Sequence, residues 1–126
     1  MSVLVGKHIK NMLFNSELAN KVDNKIYLDG LNRETSFPFI VYTYSVTPEL
    51  GTKDGNMDNC LVNVYVFSKD GDSSLELADE VRRLLEHSEG DYEGFSVLDT
   101  EFSSYRGSLE EDVYVRELEF NIKTSY

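Results

Sequence analysis

Two long apolar strands, joined by a polar segment and followed by one amphipathic helix, dominate residues 37–87. The first strand is Phe37-Pro38-Phe39-Ile40-Val41-Tyr42-Thr43-Tyr44-Ser45-Val46, and the second is Cys60-Leu61-Val62-Asn63-Val64-Tyr65-Val66-Phe67. Neither has a clean wet face. Ile40, Tyr42 and Tyr44 alternate with Phe39 and Val41, and Val62, Val64 and Val66 alternate with Leu61, Tyr65 and Phe67. A sheet built from such strands needs cover on both sides. Helices are expected on one side, and a second layer or another subunit on the other.

Spacing predicts a helix over residues 73–87, after the breaker Lys69-Asp70-Gly71-Asp72. Ser73 and Glu76 have the separation of a capping box. Leu77, Ala78, Val81, Leu84 and Leu85 share a face, with Leu75 at its edge, and Asp79 precedes Arg83 at the favourable i,i+4 spacing. His87 and Gly90 read as the helix stop. Upstream, apolar positions 4, 5, 9, 12 and 13 predict a helix over 3–14, and Ser16 caps a further short turn. Residues 25–28 read as a short edge strand and 31–36 as a loop. Pro38 is tolerated near a strand start. The segment 47–59 is too long for a tight hairpin and carries Leu50 and Met57 among polar residues, a composition suited to contacts with another protein. After the helix, 95–105 and 113–124 read as two strands broken by Arg106-Gly107-Ser108. In the last, Leu118, Phe120 and Ile122 alternate with Glu117, Glu119, Asn121 and Lys123; in the former, Leu98 and Phe102 oppose Asp99 and Glu101. The fold expected is α+β: a single domain over residues 1–126, with a mainly antiparallel sheet of four to five strands and two main helices packed on one face.

Charge is unevenly placed. Net charge is −11 over 126 residues; residues 1–33 hold five bases against three acids, and residues 89–119 hold ten acids against Arg106 and Arg116. Nucleic-acid backbones are bound by clustered Lys and Arg, which this chain lacks, so direct sequence-specific binding to nucleic acid is not expected. The acidity serves solubility, repulsion of DNA or attraction to a basic partner. No apolar run approaches the ~20 residues of a membrane helix. The N-terminus lacks the pattern of a secretion signal, so the whole chain is expected to act in the cytosol. The lone Cys60 excludes an internal disulfide framework and reads as a small core residue.

Motifs for chemistry are missing. Asp70-x-Asp72-x-Ser74 starts like an EF-hand, but Leu75 and Val81 stand where the loop needs Gly and Glu; around Asp54, Asn56 and Asp58 the same places hold Asn59 and Tyr65. His8 and His87 sit in no metal-ligand pattern, and no nucleophile elbow, Walker loop or dinucleotide fingerprint occurs. No catalytic, cofactor-binding or metal-ligating residue is assigned, no cofactor is expected, and an enzyme is not expected.

The order of elements, with Ser36-Phe37-Pro38-Phe39-Ile40-Val41-Tyr42, then Asp58-Asn59-Cys60 running into 61–68, then Leu77-Ala78-Asp79-Glu80-Val81-Arg82-Arg83-Leu84-Leu85, resembles the tail-terminator or tail-completion proteins of long-tailed bacteriophages and prophages. The resemblance implies a homo-oligomer, a hexameric ring, that caps the tail tube, ends its polymerisation and forms the head–tail joining surface. It implies the tail-tube protein and a head-completion or connector protein as partners, and a place first in the bacterial host cytoplasm and then in the virion tail. Leu50, Thr52, Lys53, Met57, Tyr65 and Phe67 are the candidates for the oligomer or tube interface. Asp99, Glu101, Glu117 and Glu119 are candidates for an acidic lumen. The competing expectation is a non-enzymatic acidic binding module, such as a DNA-mimic inhibitor or a regulatory partner. A metal-dependent hydrolase using Asp70, Asp72 and Asp99 is the third.

Overall fold

The computed structural model describes residues 3–30, 35–49 and 57–126. A one-turn 3-10 helix at Val3–Val5 leads into α1 (Gly6–Leu13) and α2 (Ser16–Lys21). Then come β1 (Ile26–Leu28), β2 (Phe39–Pro48), β3 (Met57–Ser68), α3 (Gly71–Leu85), β4 (Gly90–Tyr92), β5 (Phe95–Glu110) and β6 (Val113–Ser125). One six-stranded sheet has the order β1-β2-β3-β6-β5-β4. It is mixed: β1 runs parallel to β2, while every other pair is antiparallel. The sequence led to four or five strands and two main helices. The additional piece is β4, too short to show a period; α2 is the short turn expected from Ser16 onward.

The core lies between the sheet and the helices. Ile40 and Tyr42 of β2, Val62, Val64 and Val66 of β3, and Leu118, Phe120 and Ile122 of β6 pack with Val5, Ile9 and Leu13 and with Leu77, Val81 and Leu85. Cross-strand register aligns these residues in rows, Tyr44–Val62–Phe120–Phe102 and Val46–Cys60–Ile122–Thr100. Cys60 is buried, and burial pushes its thiol up to about 12, so it packs rather than reacts.

Several boundaries differ from the sequence reading for local reasons. The α3 cap is Asp70, whose Oδ2 accepts from the Ser73 amide at 2.9 Å, so the helix begins at Gly71 and not at Ser73. Asn15 Oδ1 likewise accepts from the Glu17 amide, which makes Asn15, and not Ser16, the cap of α2. At the other end of α3, His87 takes the left-handed conformation (φ 64) and its amide donates to the Thr100 carbonyl. His87 is therefore outside the helix and hooks it to β5, and Gly90 starts β4 instead of stopping α3. The Asp79–Arg83 pair forms at 3.4 Å between exposed side chains.

Residues 106–108 are not a break. Strand β5 continues to Glu110, and the reversal falls at Glu111 and Asp112, both with positive φ as a two-residue hairpin of the I′ kind requires. Gly107 is small for another reason: a Cβ there would come within 2.5 Å of the Arg116 guanidinium, which crosses it to reach the Tyr105 and Ser74 hydroxyls. The untidy alternation of 95–105 has a cause too. Register shifts at Leu98 and Ser103 are β-bulges that reset which side faces in. Leu98 therefore does not share a face with Phe102; it projects 43% exposed, while Phe95, Val97, Thr100 and Phe102 turn inward.

Candidate assembly interface

The helix-free face of the sheet divides into an aromatic end and an acidic middle. At the aromatic end Phe39 and Phe67, cross-strand partners, stack with centroids 4.7 Å apart; Phe37 lies on Phe39 at 5.2 Å, and Tyr65 neighbours Phe67 at 6.4 Å. Such stacks form because β2 and β3 bring their odd-numbered residues to one side in register. The Lys69 ammonium sits 5.3 Å from the Phe37 centroid. Phe37, Phe39, Phe67 and Lys69, with Val113, Val115, Glu110 and Glu111, border an open groove of about 650 Å³.

Phe39 is only 3% exposed and Val41 only 8%, so a single copy already covers them. Val41 is flanked in register by Tyr27 and Tyr65. The expectation that this face waits for another layer is thus met only in part. Leu61, 41% exposed, is the large apolar side chain that stays open midway along it.

Along the middle of the same face, register places Asp99 opposite Lys123, Glu101 opposite Asn121, Ser104 opposite Glu119 and Arg106 opposite Glu117. All four acids named from the sequence therefore share one side. Arg106 pairs with Glu117 at 3.2 Å and the Ser104 hydroxyl donates to Glu119 at 3.0 Å. Asp99 approaches the His87 ring at 3.9 Å, and Glu101 is exposed. Burial, and next the Glu117 charge, push the Tyr65 phenol up from its ordinary value, while Arg106 pulls it down.

Of the predicted interface residues, Leu50, Thr52 and Lys53 fall outside the described residues. Met57, half-buried, opens β3, and Tyr65 and Phe67 lie toward its other end, roughly 30 Å away at ~3.3 Å per residue. The described members are not one patch. Asp70 acts as a helix cap and Asp72 lies exposed in the first turn of α3, well apart in role from Asp99. Among the described residues, no three His, Cys, Asp or Glu side chains stand together as a metal site.

One polar cluster was not legible in the sequence. His8 is fully buried on α1; its Nδ1 is 2.7 Å from the Tyr92 hydroxyl and its Nε2 is 2.9 Å from Ser88 Oγ. Ser88 Oγ donates to Thr100 Oγ1, which in turn donates to the Ser88 carbonyl. With the Ser88 proton committed to Thr100, Nε2 is the donor to Ser88, and in the neutral imidazole Nδ1 then accepts from the Tyr92 hydroxyl. Burial lowers the His8 pKa, in agreement. This Ser–His contact is enclosed, and it ties α1 to β4 and β5. Its members are 80 or more residues apart in the chain, so no motif announces them.

Exposed apolar side chains gather instead at the two sheet edges. Beside β1 and β2 stand Leu28 (47% exposed), Val3 and Leu4, in a groove with Tyr42, Tyr44, Lys7 and Lys10. Beside β5 stand Tyr105 (44%) and Leu109 (59%), and Leu75 of α3 lines a groove there with Phe102, Tyr105 and Leu118. Among the described residues no helix is long and apolar enough to cross a membrane.

Comparison with known proteins adds a family. A protein chain from the virion of a native gene transfer agent (GTA) particle superposes with a TM-score of 0.81 at 14% identity, over 94% of this chain and 92% of that one, so the two share a fold. No curated protein sequence matches the chain. The family model for tail completion protein gp17 matches residues 11–125. The chain belongs to the tail completion protein gp17 family and is a structural component of a phage-type tail.

Proposed function

We propose that this protein closes the tail tube as a ring of identical subunits, ends tail polymerisation and presents the surface to which the head side is joined. The observation that carries the reading is the family match over residues 11–125. The placement of uncovered apolar side chains supports it: Leu28 groups with Val3 and Leu4 at one edge of the sheet and Tyr105 with Leu75 at the other, apolar patches that neighbouring copies would cover. Its partners in this reading are other copies of itself, the tail-tube protein and a head-completion or connector protein.

The helix-free face faces the channel in this proposal. Asp99, Glu101, Glu117 and Glu119 share it, and carboxylates there repel passing DNA within a Debye length of ~8–10 Å. Arg106 and Lys123 offset part of that charge, so the lumen is mildly and not uniformly acidic. Tyr65, Phe67 and the groove that Phe67 borders stand at one rim, where the tube or the head-side protein would seat.

The test is a mass measurement in solution, with and without the tail-tube protein. Rings formed by the protein alone, or formed only on tubes, are the expected results. A stable monomer that ignores tubes but binds a basic enzyme would replace this reading with that of an acidic mimic.

A further inference from the structure

The strand register carries an inference about how copies join, which rests on the ring reading and specifies it. Each edge of the sheet is closed by a strand of only three residues, and the two closed stretches lie at different levels. On one edge, β1 covers β2 at Ile40, Val41 and Tyr42, and among the described residues nothing pairs with the outer side of 43–48. On the other edge, β4 covers β5 at Phe95, Ser96 and Val97, and His87 bonds Thr100, which leaves the outer side of 101–110 without a partner strand among the described residues.

Following the register across the sheet fixes the levels. Leu28 is level with Tyr42, Val64, Leu118 and Tyr105; Tyr27 is level with Val41, Tyr65, Glu117 and Arg106. Gly90 is level with Val97, Thr124, Asp58 and Pro48. If a second copy continues the sheet in the same orientation, its β1 falls beside the open stretch of β5, at 105–107, and the first copy's β4 lies clear of it, with Gly90 level with Pro48 at the end of the second copy's β2. Two three-residue strands share one column between two long ones. No sliding along the strands is needed.

We infer that successive copies join edge to edge, with β1 of one copy entering the gap below β4 of the next and pairing antiparallel with residues 105–107 of its β5. The direction follows from the topology: β1 and β5 run opposite ways in the shared sheet, which is the commoner kind of pairing. Leu28 and Tyr105 both point to the helix side and meet, which covers two of the most exposed apolar side chains. Charge runs the same way. The β1 edge offers Lys7, Lys10 and Lys25 against Asp29. The β5 edge offers Glu101, Glu110, Glu111 and Asp112 against Arg106 and Arg116, with Glu76, Asp79 and Arg82 on α3 above, a balance that stays acidic. The contact is head-to-tail, so it does not stop at a dimer, and it closes into a ring where the rotation from copy to copy completes a circle. Unpaired strand edges otherwise invite indiscriminate aggregation, and a half-filled column admits only the matching half.

Single-cysteine variants test this, since Cys60 is buried and stays out of exchange. Leu28→Cys and Tyr105→Cys are made separately, mixed and oxidised, both in free solution and on tail tubes. The mixture is expected to give one disulfide-linked dimer and each variant alone to give none; the double variant is expected to give a ladder ending at the covalent ring. Tyr27→Cys with Arg106→Cys, the next rung on the opposite face, is expected to cross-link likewise, while Leu28→Cys with Arg106→Cys is not. Rings or tube-bound protein without these cross-links would overturn the edge pairing and leave the ring reading standing. Cross-linked chains that never engage tubes would do the reverse. Disulfide dimers of Leu28→Cys alone would show a self-symmetric contact, and no cross-link with no assembly in either setting would end both.

Discussion

On the helix side of the sheet Val62, Val64, Phe120 and Ile122 have no exposure at all, and the helices supply every contact they need. On the opposite side the same strands carry Asn63, Tyr65, Glu117 and Glu119, all half-buried, with an aromatic stack at one end. Both sides looked apolar in β2 and β3, because those two strands are where the aromatic stack sits. Strand β6 decides the difference. Its outward residues are Glu117, Glu119, Asn121 and Lys123, and pairing it in the middle of the sheet makes half of the free face wet. One face is a core, and the other is a surface with a greasy corner.

That comparison is broken or sharpened by a graded set of changes. Phe120→Ala on the covered side should cost about 3–5 kcal/mol in chemical denaturation. Phe67→Ala on the free side should cost only about 1–2 kcal/mol, since part of its surface already meets water and the loss is chiefly the stack on Phe39. Equal losses would mean that the free face is a second core. Asp70→Ala removes the cap that starts α3 over the covered side, and about 1 kcal/mol of stability should go with it.

The pH response probes the covered side through His8. Its folded pKa is lowered from 6.5 by burial, so the unfolded chain takes up a proton first as pH falls. The stability tied to neutral His8 is present in full above pH 6.5 and declines as pH drops from there toward the lowered folded value. Denaturation midpoints measured across that window should fall, and the His8→Gln variant should show a flatter profile. Smallest of all is Asp79→Ala, which breaks an exposed pair at 3.4 Å and should change stability by about 0.3 kcal/mol.

Long periodic segments were readable because their burial repeats. The 3.6 spacing of Leu77, Val81 and Leu85 and the alternation of β3 and β6 follow directly from one side being covered. Strands β1 and β4, three residues each, have no room to show a period, although the turn residues around 25–28 marked the first. The capping error at Ser73 arose because Asp70 and Ser73 both suit the position, and in the fold it is the Asp70 carboxylate that accepts from the Ser73 amide. Bulges at Leu98 and Ser103 are invisible in sequence because they depend on the partner strand's register.

The candidate site was legible in chemistry and less so in place. The four acids were grouped correctly on one face, since β5–β6 pairing preserves their side. Of the candidate interface residues, Tyr65 and Phe67 lie on that same face, while exposed apolar side chains stand at the edges as well: Leu28, Tyr105 and Leu109. Their role depends on which strands end up outermost, and that is a property of sheet order, not of any local pattern.

Electron microscopy of growing tail tubes, with and without this protein, tests the central claim most directly. The expected result is one ring-shaped cap at a single end of each tube and an arrest of elongation once it is bound. Tubes that lengthen at an unchanged rate with bare ends, while the protein stays monomeric beside them, would contradict it.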